Sequence, residues 1–254
     1  MSALTLPAHA ADMRAPEPAT GFTAKKVAIG HKQMVSAANP YASEAARTML
    51  RKGGNAIDAA IAAQLALNVV EPQSSGIGGG AFLLYYDAKT RKVHVYDGRE
   101  TAPASAREDR FLGADGKPRD FNDVVRGGLA VATPGLPMLM WQTHKLHGKL
   151  PWAELFVPAT ALAERGFPIS ERMRSVAEKI PYLNMFPETR ALYFREDGSM
   201  KRVGETLVNP ALAATFRAMA THGVEDFYRG ETARKIVEAV RNAPVNPGDL
   251  TMDD

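Results

Sequence analysis

The feature that most constrains the fold is the stretch from Ala56 to Val70, in which only Asp58, Gln64 and Asn68 are polar. Asn55 precedes it as a helix cap, and the early aspartate suits the positive end of a helix. A helix that is apolar on nearly all sides has to be buried. It is also shorter than the ~20 residues that a membrane span requires. The stretch therefore predicts a core helix, and no membrane span is expected.

A β-hairpin is predicted directly after this helix. Glu71-Pro72 ends the helix, glycines follow at 76–80, and residues 81–86 are apolar and aromatic over the length of a strand. Residues 92–97 alternate between apolar and polar side chains, as a half-buried strand does. This alternation predicts that His94 points outward. We expect the hairpin to pack beside the buried helix.

The rest of the chain is predicted to be mainly helical. Asn39-Pro40 begins a helix before the buried one, and Gly53 ends it. Residues 101–128 are polar and rich in turn-forming residues, so they predict a loop. Beyond that loop, helix-compatible patterns occupy residues 136–146, 152–165, 171–179, 209–221 and 231–242.

The glycine-rich run at 76–80 is reminiscent of a dinucleotide-binding loop. That kind of site needs a strand before the loop and a helix after it, so that the helix N-terminus meets the pyrophosphate. The order here is helix, glycines, strand, which argues against nucleotide binding. Two alternatives stay open. The glycines allow backbone segments to approach closely, or they line a pocket and present amides to an anion.

Composition narrows the classes of function. The chain has 254 residues, 45% hydrophobic and 23% charged, which suits a soluble globular protein with a sizeable core. Its 31 basic and 28 acidic residues form no basic stripe, so no nucleic-acid partner is predicted. The absence of cysteine excludes disulfides and thiolate sites. His144 and His147 share a helix face without further ligands nearby. We expect them to be solvated, and predict neither a metal site nor a cofactor.

The N-terminus has features of a secretory signal peptide. Residues 8–10 (Ala-His-Ala) fit the small-x-small cleavage pattern, with the cut after residue 10. A disordered, alanine-rich terminus is the alternative. We expect residues 1–33 to be a signal-peptide remnant with a flexible lead-in, residues 34–254 to be the folded part, and the protein to be periplasmic or secreted. A Pro-Gly turn shortly before Asp254 predicts that a further helix would follow.

Several sequence blocks, in the same order, resemble the large subunit of the γ-glutamyltransferase family. They are GGNAIDAA at 53–60, VEP at 70–72, SGIGGG at 75–80, YDGRETAP at 96–103, VATPG at 131–135, GKLPW at 148–152 and FYRG at 227–230. Many blocks in order are more specific than any single block. The likeness runs from about Met34 to the last residue, and the chain is similar to the N-terminal part of that subunit.

The resemblance implies an α+β fold, the αββα sandwich of N-terminal-nucleophile hydrolases, incomplete in this chain. In the family the precursor cleaves itself, and the new N-terminal threonine of the small subunit forms an acyl-enzyme with γ-glutamyl amides. That threonine and the oxyanion glycines lie in the C-terminal part. No catalytic residue is therefore expected here, and Ser74-Ser75 are not the serine pair of the family's pocket. The implied partners are γ-glutamyl compounds such as glutathione and the small-subunit part of the precursor.

Arg99 is the substrate-binding residue that the resemblance implies for this chain. The matching family arginine binds the α-carboxylate of the γ-glutamyl group, and a guanidinium fork can hold a carboxylate with two hydrogen bonds. Arg99 follows a predicted strand end, where a rigid element can aim it. The alternative is a surface arginine paired with Glu100 or Asp97.

The sequence leaves two alternative functions open. One is a cephalosporin or glutaryl acylase-like member of the same family, with the same fold and a different acyl group. The other is a non-catalytic fragment that binds an amino acid.

Overall fold

The structure, a computed structural model, describes residues 27–254. The predicted cleavage after residue 10 and most of the predicted lead-in lie outside the described residues. The domain boundary between residues 33 and 34 stays a prediction.

The described chain is mainly helical, with two small antiparallel sheets. The helices are α1 Pro40–Arg51, α2 Ala56–Val70, α3 Phe121–Val124, α4 Leu136–His147, α5 Trp152–Arg165, α6 Glu171–Ala177, α7 Pro187–Tyr193, α8 Pro210–His222, α9 Glu225–Arg229 and α10 Glu231–Arg241. The strands are β1 Ala81–Asp87, β2 Lys92–Gly98, β3 Phe167–Pro168 and β4 Thr206–Leu207. Strand β1 pairs with β2, and β3 pairs with β4.

The core forms around α2, as its apolar composition predicts. The Asn55 side chain accepts hydrogen bonds from the backbone N–H groups of Ile57 and Asp58, and Asp58 accepts from Asn55 N, which completes a capping box. Helix α2 packs against α1, α4 and α5, and α5 packs against α8. A run of edge-to-face aromatic pairs joins Trp152, Phe156 and Phe216 across this core.

The hairpin is confirmed, but the predicted orientation of His94 is wrong. Ala81 pairs with Gly98 and Asp87 with Lys92. His94 lies on the inner face, where its ring centroid is 5.5 Å from that of His147 on α4. Large apolar side chains occupy the outer face instead and are 57–71% exposed: Phe82, Leu84, Tyr86, Val93 and Val95. We call these five residues the outer hairpin face.

The expectation that His144 and His147 are solvated is also wrong. His147 Nε2 lies 2.5 Å from the hydroxyl oxygen of Tyr96 on the hairpin. His144 is largely buried, and its Nε2 lies 2.8 Å from the backbone oxygen of Leu150. The two rings therefore pack α4 against the hairpin and against the loop that leads into α5.

The segment after α10 is fastened to the long loop between β2 and α4. Arg110 is nearly buried and makes two hydrogen bonds to the Asp249 carboxylate, at 2.5 and 3.0 Å, and a third to Leu129 O. The hydrogen bond from Arg110, followed by one from Ser105, lowers the pKa of Asp249 to about 2. The carboxylate is therefore ionised at neutral pH. The ion pair fastens the C-terminal segment to a loop for which the sequence predicts no regular secondary structure.

Within residues 27–254, no helix is both long enough and apolar enough to cross a bilayer.

Candidate substrate-binding site

Arg99 lies where the hairpin ends, one residue after β2. Its backbone N–H donates to Asp97 Oδ1 at 2.9 Å, which fixes the turn out of the strand. The side chain is 73% exposed, and its Nε lies 3.6 Å from Glu100 Oε2. The guanidinium therefore lies next to Glu100, as the alternative of a paired surface arginine predicted, and it is also accessible to a ligand. Its binding of an α-carboxylate stays a prediction.

Four glycines bring three chain segments together beside Arg99. A Cβ atom on Gly80 would lie 2.5 Å from Glu100 Oε2 and 2.7 Å from the backbone oxygen of Gly98. A Cβ on Gly135 would lie 2.1 Å from that same oxygen. Gly135 N also donates to Gly79 O at 3.1 Å. We call Gly79, Gly80, Gly98 and Gly135 the glycine junction.

The glycine junction joins the glycine-rich loop, the end of β2 and the start of α4. Leu136 N, in the first turn of α4, donates to Gly79 O at 3.0 Å. A Cβ on Gly98 would lie 2.6 Å from Leu139 on the same helix. Side chains at Gly80 and Gly135 would push the segments apart, because the backbone atoms they would meet cannot yield as a flexible side chain can. The junction therefore sets the position of the Arg99 backbone.

Tyr228 on α9 supports the junction from behind. Its hydroxyl donates to Pro134 O at 2.7 Å and accepts from Met138 N at 3.1 Å. Burial raises the pKa of Tyr228 to about 12, so the phenol keeps its proton at neutral pH and continues to donate. The residue just before Gly135 is thereby held in place.

A polar pocket of about 410 Å³ lies against the junction. Its lining consists of two amide side chains, two hydroxyls, the loop glycines, one carboxylate and two apolar residues: Gln64, Pro72, Gln73, Ser74, Ser75, Gly76, Gly79, Gly80, Glu100 and Leu136. Glu100 is 30% exposed. From the sequence, Glu100 is expected only as a partner of Arg99. Its position directly after that arginine was the available signal that it lines the site.

A negative charge lines the pocket, and a positive charge lies next to it. Glu100 is one of the lining residues, and Arg99 Nε lies 3.6 Å from its Oε2 without itself lining the pocket. Opposite charges so close together suit a zwitterionic amino-acid group. The Ser75 hydroxyl accepts from Gln64 Nε2 at 2.7 Å and from Asn68 Nδ2 at 3.2 Å. Amide donors hold a hydroxyl but cannot remove its proton, so these contacts do not activate Ser75 as a nucleophile.

The structure also distinguishes the two roles left open for the glycine-rich run. Close approach of backbone is confirmed at Gly80, whereas a Cβ on Gly76 or Gly78 would meet nothing within 4 Å. Gly76, Gly79 and Gly80 of the run also line the pocket. In residues 27–254 no group of three or more histidine, aspartate or glutamate side chains is placed to hold a metal ion.

Comparison with known proteins identifies the family. The sequence profile of the family described as Gamma-glutamyltranspeptidase matches residues 42–254. The Glutathione hydrolase proenzyme of Bacillus subtilis (strain 168) is 39% identical over 240 residues, which cover 94% of this chain and 40% of that protein. Glutathione hydrolase 3 of Arabidopsis thaliana is 35% identical over 233 residues, or 91% of this chain and 35% of that protein.

Solved structures agree with the sequence comparison. The γ-glutamyltranspeptidase of Helicobacter pylori superposes with a TM-score of 0.84 at 30% identity, over 90% of this chain and 64% of that chain. A cephalosporin acylase from Bacillus halodurans superposes with a TM-score of 0.69 at 29% identity, over 91% of this chain and 44% of that chain.

The chain belongs to the γ-glutamyltranspeptidase family, whose members named here are enzymes. It has part of the N-terminal-nucleophile hydrolase fold, as the resemblance implied. The chain spans about 40% of the length of the Bacillus relative.

Proposed function

We propose that this chain is part of an enzyme that cleaves γ-glutamyl amides such as glutathione. Cleavage would proceed through an acyl-enzyme on a threonine that the C-terminal part of the precursor supplies. The family and the names of the relatives support this activity. The observation that carries the proposal is the exposed guanidinium of Arg99, which directly follows the glycine junction and pairs with Glu100 of the polar pocket.

Arg99 has a defined task in this proposal, which is to bind the α-carboxylate of the γ-glutamyl group. In the full-length protein, Arg99→Ala removes a charge-assisted pair of hydrogen bonds. We expect kcat/KM for a γ-glutamyl anilide to fall about 100-fold, mostly through KM. Arg99→Lys should recover only a small part of the loss, because an ammonium lacks the planar fork.

Arg107→Ala is the matched control. Arg107 is also exposed and also lies next to an acidic partner, Asp109, at 3.4 Å. Its partner Asp109 does not line the pocket, whereas Glu100, the partner of Arg99, does. Replacement of Arg107 should leave KM unchanged. Unchanged KM and kcat in Arg99→Ala would refute the proposed role of Arg99.

The chain should have no turnover by itself, because in this proposal it contains no nucleophile. The 254-residue polypeptide, assayed with a γ-glutamyl anilide, should release aniline at the rate of a buffer blank. Release above that rate would show that a residue of this chain performs the chemistry.

We further propose that the C-terminal part of the precursor is the partner that covers the outer hairpin face. Support comes from the five large apolar side chains exposed there and from the length of the Bacillus relative beyond this chain. Apolar patches of this kind on a soluble protein usually mark an interface.

A second candidate function is acylase activity on a glutaryl or cephalosporin-type amide. The superposition with the cephalosporin acylase favours it, although that structure has the lower of the two TM-scores. A glutaryl group lacks the α-amino group that γ-glutamyl carries. Parallel assays of γ-glutamyl and glutaryl anilides with the full-length protein would separate the two activities.

A non-catalytic amino-acid-binding role is the remaining alternative. Calorimetry of glutamate binding to this chain, combined with the anilide assay of the full-length protein, would discriminate it. Binding without any turnover by the full-length protein would favour this role over the enzymatic one.

We also propose that the protein is exported to the periplasm or secreted. The support is the small-x-small pattern at residues 8–10. Fractionation of cells that express the complete gene, with N-terminal sequencing of the product, would test this. A cytoplasmic product with an uncleaved N-terminus would contradict it.

A further inference from the structure

A buried carboxylate lies at one end of the loop that lines the pocket. Glu71 caps the C-terminus of α2, and its side chain is only 6% exposed. The loop that follows, residues 72–80, carries most of the pocket lining and ends at the glycine junction. We call residues 72–80 the pocket loop. Its far end is fixed by Gly79 and Gly80, so the other end depends on what holds Glu71.

Glu71 makes contacts with three parts of the chain. Its Oε1 accepts from Asn39 Nδ2, at the start of α1, at 2.7 Å. Its Oε2 accepts from Gln73 Nε2 in the pocket loop and lies 3.4 Å from Arg172 Nε on α6. Both oxygens of this buried carboxylate therefore have polar partners, as burial of a charge requires.

The same residue also holds the pocket loop through its backbone. Glu71 O accepts from both Ser74 N and Ser75 N at 2.9 Å. Arg172 Nη2 donates to Ser74 Oγ at 2.9 Å, so one guanidinium spans the buried carboxylate and the loop. Gln73, which donates to the Glu71 carboxylate, and Ser74, which accepts from Arg172, both line the pocket.

We propose that Glu71 is a positioning residue: its buried carboxylate, with Arg172, sets the shape of the pocket loop and thereby of the pocket beside Arg99. It acts through Gln73, Ser74 and the two backbone bonds, not by touching the ligand. This inference rests on the proposed function only in the test that measures activity. The hydrogen-exchange test does not depend on that function.

The substitution Glu71→Gln tests the proposal at constant size. An amide has one acceptor and one donor side, whereas Asn39, Gln73 and Arg172 all present donors to Glu71. One donor must therefore face another donor in either orientation of the new amide. Glu44→Gln is the matched control, because Glu44 pairs with Arg47 on the exposed surface of α1.

The first measurement is hydrogen exchange at the amides of Ser74 and Ser75 in the full-length protein. We expect Glu71→Gln to accelerate exchange there about tenfold or more, because local opening becomes easier. Glu44→Gln should leave it unchanged. Unaltered exchange in Glu71→Gln would overturn the proposal, whether or not the protein cleaves γ-glutamyl amides.

The second measurement separates positioning from overall stability. Glu71→Gln should raise KM for a γ-glutamyl anilide about tenfold at a temperature where the protein is fully folded, with a smaller change in kcat. A lower melting temperature with unchanged KM and unchanged loop exchange would make Glu71 a purely structural residue. Absence of turnover in the unmodified protein would instead refute the proposed function and leave the exchange result to decide on Glu71.

Ser74→Ala serves if Glu71→Gln does not fold. It keeps the buried carboxylate and removes the bond from Arg172 to the loop. We expect the hydrogen-exchange rate and KM to rise as in Glu71→Gln but less, by about two- to threefold each. A Ser74→Ala protein that matches the unmodified protein in both measurements would contradict the proposal.

Discussion

At the scale of single residues, Gly80 gives the sharpest test of the glycine junction. Gly80→Ala places a methyl group 2.7 Å from Gly98 O and 2.5 Å from Glu100 Oε2. The carboxylate can move, but the backbone oxygen cannot move without displacing the end of β2. We expect a loss of about 1–3 kcal/mol in the free energy of unfolding, measured by urea titration of the full-length protein, with a rise in KM.

Gly78→Ala, two residues earlier in the same loop, is its control. Nothing lies within 4 Å of a Cβ at Gly78, so the substitution should leave stability unchanged or raise it by about 0.4–1 kcal/mol through a stiffer unfolded chain. Equal effects at the two positions would show that loop flexibility matters and close packing does not.

The ion pair between Asp249 and Arg110 makes a pH-dependent contribution to stability. The pKa of Asp249 is about 2, below its ordinary 3.8. A lowered pKa means that the contribution is present above pH 3.8 and is lost as the pH falls toward 2. Asp249→Asn should therefore melt lower than the unmodified protein at pH 6, and the difference should shrink between pH 4 and pH 2. A difference that is constant over this range would contradict the assignment.

The sequence predicted the position of Arg99 but not its surroundings. A strand end followed by Gly98 could be read from the local pattern, because strand and turn signals are local. The contact of Gly98 with Gly135 joins segments 37 positions apart (135 − 98), and nothing in the local pattern indicates it. Glu71 was likewise seen only as a helix end, because its partners Asn39 and Arg172 lie on distant elements.

At the scale of elements, Asp58 connects α2 to the loop before α5. The carboxylate is fully buried and accepts from Asn55 N at 2.8 Å and from Lys149 N and Leu150 N at 3.1–3.3 Å. Asp58→Ala removes a fully buried acceptor and takes away the partner of three backbone N–H groups, so we expect a loss of roughly 2–4 kcal/mol in the free energy of unfolding.

Asp120→Ala is the control for Asp58→Ala. Asp120 is exposed and caps only the four-residue helix α3, through Asn122 N. Its replacement should cost about 0.5–1 kcal/mol. Urea unfolding of both proteins provides the comparison. A loss at Asp58 no larger than that at Asp120 would mean that the buried carboxylate does not stabilise the fold.

Elements with their own caps and apolar pattern were predictable, whereas three of the short helices were not. The start of α1 and the limits of α2 follow from their asparagine caps and their composition. Helices α3, α7 and α9 have four to seven residues, too few to be stable without tertiary contacts. The prediction of which hairpin face points inward was wrong. Alternation shows that the two faces of a strand differ, but it does not show which face meets the helices. Here His94 and Tyr96 face α4, and the valines are exposed.

At the scale of the whole molecule, the outer hairpin face should make this chain self-associate when it is produced alone. Leu84 is 71% exposed and Val95 66%. Replacing both with lysine should shift the chain toward monomer in analytical ultracentrifugation, because charged side chains oppose edge and face association. In the full-length protein the same pair of changes should impair folding or processing, because the proposed partner covers this face.

Leu146→Lys is the control for the whole-molecule prediction. Leu146 on α4 is 66% exposed and does not belong to the outer hairpin face. It should change neither self-association of this chain nor processing of the full-length protein. An outer-face variant that associates as strongly as the unmodified chain, or that processes normally in the full-length protein, would contradict the proposed interface.

The most direct test of the account compares two substrates in the full-length protein and in Arg99→Ala. The first is a γ-glutamyl anilide, and the second is the corresponding 4-aminobutyryl anilide, which lacks only the α-carboxylate. We expect Arg99→Ala to reduce kcat/KM about 100-fold for the first substrate and hardly at all for the second, because the second has no carboxylate for the arginine to bind. Equal losses on both substrates would show that Arg99 does not recognise the α-carboxylate.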